Sequence, residues 1–123
     1  MAIKRYYATK DNTITNAFKS NLSTRGISGN MGQSDIIEVF SIYAQVSSST
    51  GYSSELARIL IEFDTTAINT DRTAGNIPAS GSVNFFLKMY DAEHTQTTPK
   101  NYTLVVSPIS QSWSEGLGLD MEE

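Results

Sequence analysis

The stretch Ser54–Phe63, "SELARILIEF", decides how the rest of the chain is read. Taken as a strand, it puts Ala57, Ile59, Ile61 and Phe63 on one side and Arg58 and Glu62 on the other. Taken as a helix, it lines up Leu56, Ile59, Leu60 and Phe63, with Ser53 or Ser54 free to cap the start. The strand is favoured, because "RILIEF" is rich in β-branched residues and a turn-like "DTT" follows at once. Asp64 is then placed to cap one turn of helix over residues 65–68.

Working outward, three more runs alternate with the same period of two. In 36–46, "IIEVFSIYAQV", Ile36, Phe40, Ile42, Ala44 and Val46 share a face that Glu38 interrupts. Residues 83–90, "VNFFLKMY", set Val83, Phe85, Leu87 and Met89 against Asn84 and Lys88. In 102–109, "YTLVVSPI", Tyr102, Leu104 and Val106 alternate with Thr103, Val105 and Ser107. Segments 3–8 and 12–18 are weaker strand candidates. Between the runs lie clusters of Gly, Ser, Thr, Asn and Asp such as "TRGISGNMGQSD" (24–35), which are turn formers. About three residues in ten are Ser, Thr or Asn, which favours turns over long helices. The expectation is an all-β chain, an antiparallel β-sandwich with at most one short helical turn, built as a single domain over residues 1–123. Its core is expected to include Phe40, Ile61, Phe63, Phe85 and Leu87.

Composition removes several functions. There is no cysteine, hence no disulfide framework, thiolate zinc site or cysteine nucleophile. A net charge of −4 argues against nucleic acid as a partner, and no run approaches the ~18 apolar residues of a membrane span. His94 is the only histidine and sits in a polar loop, "DAEHTQTTPK". With no acid–base pair in evidence, the chain reads as a non-enzyme. No cofactor is expected; Asp91, Glu93 and His94 form the one cluster that a structural calcium would use. The glycines of "RGISGNMG" match neither a dinucleotide fingerprint nor a phosphate loop and read as turns.

The charges are polarised along the chain. Lys4, Arg5, Lys10, Lys19 and Arg25 face only Asp11 in the first 25 residues, while the last nine carry Glu115, Asp120, Glu122 and Glu123 and no base. The ends either pair within one chain or are simply solvated, or the basic arm of one subunit meets the acidic tail of a neighbour. The last makes Lys4, Arg5, Asp120, Glu122 and Glu123 an assembly interface, together with Tyr6 and Tyr7. Those adjacent tyrosines should point to opposite faces of a strand, leaving one exposed for a protein or sugar contact.

Read in order, "DNTITNAF" (11–18), "GNMGQSDIIEVFS" (29–41), "ELARILIEFDTTAI" (55–68), "NIPASGSVNFFLKMY" (76–90) and "YTLVVSPISQSWSEG" (102–116) resemble the DNRLRE-type domain. That family is a jelly-roll, carbohydrate-binding-module-like sandwich found in secreted bacterial proteins and tailed-phage virion proteins. The family's pattern opens on an Asp. Asn30 and Gly32 match its Asn-x-Gly turn, Arg58, Leu60, Phe63 and Asp64 come close to its strand motif, Ile77 and Pro78 match its Ile-Pro turn, and Trp113, Glu115 and Gly116 its closing Trp-x-Glu-Gly. The resemblance implies that Trp113 is a core residue. Two departures stand out: the family's domain continues beyond the closing motif, so that either a neighbouring subunit supplies the missing strand or the natural chain runs on past Glu123, and the sequence opens at Met1 with no secretory signal. The resemblance therefore implies a virion structural protein assembled in the host cytoplasm, whose partners are itself and other virion subunits. The alternative it implies is an extracellular module that binds polysaccharide through exposed aromatics.

Overall fold

The fold was taken from a computed structural model, which describes residues 3–27, 29–49, 51–79, 81–95 and 100–119. The chain divides into two units, Met1–Asn84 with Glu115–Glu123, and Phe85–Ser114. The first is an antiparallel sheet of three strands in the order β1-β3-β2, followed by one helix. β1 is Ala8–Thr15, β2 is Ser41–Ser48 and β3 is Gly51–Phe63; α1 is Thr65–Thr73.

The deciding stretch is thus a strand, and it is the central one. β3 is 13 residues long, and its two halves pair with different neighbours. Its C-terminal half takes β1, with Asp11 opposite Ile61 and Thr15 opposite Ala57; its N-terminal half takes β2, with Ser41 opposite Leu56 and Ser48 opposite Gly51. The face that carries Glu55 and Ala57 is the more buried, and Arg58 stays in water. β1 falls between the two weak candidates of the sequence, overlapping the end of one and the start of the other.

β2 is irregular. Its pairing slips between Tyr43 and Ser47, and Ala44 there has φ 63°, left-handed backbone that a β-carbon disfavours. A bulge of this kind bends an edge strand and makes it a poor template for further pairing. Across the hairpin the Tyr43 and Tyr52 rings meet edge to face, 5.9 Å apart. Both are exposed.

Asp64 does cap the helix: its carboxylate accepts a hydrogen bond from the Thr66 N–H at 2.8 Å. The helix then runs for nine residues, longer than the single turn expected. Its half-buried positions, Ala67, Ile68, Asp71 and Arg72, fall on one face at the spacing of helical neighbours.

Two further expectations are corrected. Residues 83–90 and 102–109 form no strand among the described residues, despite their alternation. Phe85 and Leu87 accordingly are not core: they are 64% and 46% exposed. Phe40, Ile61, Phe63 and Trp113 are half-buried, short of the full burial a core position implies. The described residues form one three-stranded sheet and one helix, and a strand's apolar face is fully buried only against another sheet or a helix. The buried side chains are instead largely polar: Asn12, Thr13 and Glu55, beside Ala57 and Ile77.

Glu55 shows how a charge is kept there. It is 1% exposed and accepts the Phe18 N–H at 3.0 Å and the Ser53 hydroxyl at 3.3 Å. With its amide turned to donate, Gln45 reaches both Glu55 oxygens at 2.9 Å. These bonds tie β2, β3 and the segment after β1 to one buried carboxylate, which would otherwise be costly to desolvate. Replacing Glu55 by Ala is expected to lower stability by roughly 2–3 kcal/mol, the worth of hydrogen bonds to a charged group. Urea unfolding of the two proteins checks it, and an unchanged midpoint would remove Glu55 from the framework.

Candidate functional site

In the first unit, three stretches far apart in sequence converge on Asn12 and Asn30. Asn12 Nδ2 donates to the Glu115 carbonyl at 2.5 Å, and its Oδ1 accepts the Met31 N–H at 3.1 Å. Asn30 Oδ1 accepts the N–H groups of Gly32 and Gly118, both at 2.9 Å. The Asp11 N–H donates to Glu115 Oε1 at 2.9 Å, and the Gln33 N–H to the Gly118 carbonyl at 3.1 Å. An asparagine amide suits this position, because it offers a donor and an acceptor at once and so mimics a strand partner. The cluster holds residues 115–118 against β1 and the 30–33 turn. It contains Asn30, Gly32, Glu115 and Gly116, all singled out from the sequence, and the backbone of Asp11.

The packing explains two of the glycines. A β-carbon at Gly32 would collide with the Glu115 carbonyl. Gly116 has φ 77°, and a β-carbon there would meet the Asn30 amide. Neither obstacle is the flexible end of a long side chain.

A second cluster joins the N-terminal segment to α1. Lys4 Nζ lies 2.9 Å from Asp71 Oδ2, the Tyr6 hydroxyl donates to the same oxygen at 2.8 Å, and Asn76 Nδ2 donates to Oδ1 at 2.9 Å. These donors, Asn76 first, then Lys4 and Tyr6, hold the Asp71 carboxyl down from its ordinary 3.8 to about 2. Desolvation, then the hydrogen bond to Asp71, raises the pKa of Tyr6.

The proposed assembly residues are therefore divided. Lys4 and Tyr6 are engaged within the chain, where both meet Asp71. Arg5 and Tyr7 are exposed, Tyr7 at 82%, so the two tyrosines do part as their spacing requires. Asp120, Glu122 and Glu123 lie outside the described residues. In the candidate calcium loop, His94 Nε2 is 3.5 Å from Asp91 Oδ2. No three His, Cys, Asp or Glu side chains gather round a common point there or elsewhere among the described residues. A shallow, open depression on α1, lined by Thr66, Asn69, Thr70, Thr73 and Ala74, has no group suited to catalysis.

The second unit, Phe85–Ser114, is of another kind. Phe85, Phe86, Leu87, Met89 and Tyr90 are all exposed, Phe86 at 88%. So are Tyr102, Leu104, Val105, Val106 and Ile109. Single exposed apolar residues are ordinary, but contiguous groups of this size mark contact surfaces. Lys88 Nζ lies over the Tyr90 ring, 4.8 Å from its centre, so residues 88 and 90 share a side as they would in a strand. The sequence pattern had found these residues, but had assigned part of them to the interior.

Comparison with protein-family models, curated proteins and solved structures finds no match to this chain. No helix among the described residues is long and apolar enough to cross a membrane.

Two measurements test these clusters. Gly32→Ala is expected to destabilise by about 1–3 kcal/mol, as overpacking does; wild-type stability in urea would show that the close approach to Glu115 is dispensable. Because Asp71 titrates below its ordinary range when folded, it stabilises the fold while charged, and that contribution disappears as pH falls from about 4 towards 2. Asp71→Asn should flatten the pH dependence of the melting temperature in that window alone. The same slope in both proteins would mean that the cluster is not coupled to folding.

Proposed function

We propose that this chain is a jelly-roll β-sandwich of the DNRLRE type, acting without catalysis as a structural component of a virion. It would serve as a decoration, neck or tail subunit that associates with copies of itself or docks on other structural subunits. One observation carries the assembly reading. Residues 85–90 and 102–109 have the alternation of strands, no strand partner among the described residues, and apolar side chains open to water. Such segments gain both hydrogen bonds and burial when a strand is supplied from outside. The DNRLRE reading is supported by the meeting of Asn30, Gly32, Glu115 and Gly116 at one cluster, because these are positions where the sequence resembles the family.

A second reading has its own support. Tyr43 and Tyr52 form an exposed edge-to-face pair, a flat apolar surface with two hydroxyls of the kind that stacks on sugar rings. This favours an extracellular polysaccharide-binding module.

Light scattering on a sizing column, at low and high salt, separates the two. The assembly reading expects a discrete multimer or polymer, and one held by apolar contacts persists at high salt. A single-chain mass at every concentration overturns it. Retention on a polysaccharide that is lost in Tyr43→Ala would support the sugar-binding module in its place.

A further inference from the structure

Residues 41–54, which span β2 and the first part of β3, contain no Asp, Glu, Lys, Arg or His, while nine of the fourteen carry a hydroxyl. We infer that the tyrosine pair on this ribbon takes an uncharged polysaccharide, held by ring stacking and neutral hydrogen bonds. This rests on the sugar-binding reading and names its ligand class.

The ribbon extends past β1. Pairing with β1 ends at Ala57, so residues 51–54 have β2 as their strand neighbour among the described residues. Tyr43 is opposite Ser54 and shares its side, as does Tyr52, two residues along β3. Ser41 and Leu56 continue the row. Tyr43 and Tyr52 are 71% and 62% exposed, and Ser41 and Ser54 are exposed as well. Beside Tyr43 lies the bulge at Ala44, and bulges re-aim the side chains next to them. With their rings in contact at 5.9 Å, the two tyrosines are ordered before a ligand arrives, so less freedom is lost on binding.

Charge decides which class of glycan fits. Glu55, the next residue after the ribbon, points to the other side of the sheet and is 1% exposed. On the tyrosine side the next charge along β3 is Arg58, four residues past Ser54, about 13 Å at ~3.3 Å per residue. That exceeds the Debye length of about 8–10 Å in physiological salt. A carboxylate or sulfate seated at the tyrosines therefore has no cation of β2 or β3 within reach. A chain of net charge −4 also repels a polyanion as it approaches. Hydroxyls suit a neutral sugar, because each both donates and accepts.

Isothermal titration calorimetry of the full chain against matched polymers tests this. Hydroxyethylcellulose is set against carboxymethylcellulose, and dextran against dextran sulfate, so that each pair shares a backbone and differs in charge. The expected result is binding to the neutral member of a pair, unchanged from low to high salt, and weaker by about tenfold or more to its anionic counterpart. Tyr43→Ala or Tyr52→Ala should weaken it about tenfold or more at an unchanged melting temperature. Tyr43→Phe, which keeps the ring, should retain most of the affinity, and Arg58→Gln all of it. Tighter binding to the anionic member, or binding that weakens with salt or in Arg58→Gln, overturns the neutral class and leaves the sugar-binding reading standing. Binding to none of the four overturns both. So does a multimer that Tyr43→Ala breaks into single chains, since the pair is then a protein contact.

Discussion

The first unit depends on amide side chains standing in for strands. Asn12 and Asn30 present donors and acceptors to backbone groups of residues 31–32 and 115–118, in places where no ladder runs. A backbone group left unpaired on burial costs about as much as a lost hydrogen bond. The two asparagines remove that cost for three segments together, and the glycines at 32 and 116 let the backbones come close enough for it. Loss of either the amides or the glycines would free the segment beyond Ser114 from β1.

Buried polarity of this kind sets the character of the sheet. Its interior side chains are Asn12, Thr13 and Glu55 rather than leucines or phenylalanines, and each is hydrogen-bonded. A fully partnered polar network specifies one arrangement strongly but supplies little of the burial that drives folding. The apolar residues that could supply it lie largely in residues 85–109, on surfaces open to solvent. Polar contacts thus define the geometry of the sheet, while much of the apolar surface of the described residues is exposed.

What could be read from the sequence follows this division. β3 was legible because "RILIEF" alternates and is β-branched, and the cap at Asp64 because a carboxylate preceding two threonines is a local signal. The same parity that placed Ala57 inward also places Glu55 there, so its burial was available to the pattern, although a glutamate is seldom read as an interior residue. The Asp71 cluster left no local trace, since Lys4, Tyr6 and Asp71 are joined only by tertiary structure. For residues 83–90 and 102–109 alternation reported a face that needs covering, but periodicity does not say by what. The interior positions assigned to Phe85 and Leu87 failed for that reason. Glu115 and Gly116 were visible only through their resemblance to a family motif, and their partners Asn12 and Gly118 were not visible at all.

The clamp also orders events in time. Asp11 and Glu115 are 104 positions apart, so their contact closes one of the longest loops in the chain. Contacts of such separation form late, because the loop must be ordered before they contribute. On the ribosome, where roughly 5–20 residues are added each second, β1 is complete several seconds or more before residues 115–118 exist. During that interval the apolar runs at 85–90 and 102–109 have already been made. β1 and the 30–33 turn therefore wait for residues 115–118 before the clamp can close, and this part of the first unit is among the last to be ordered.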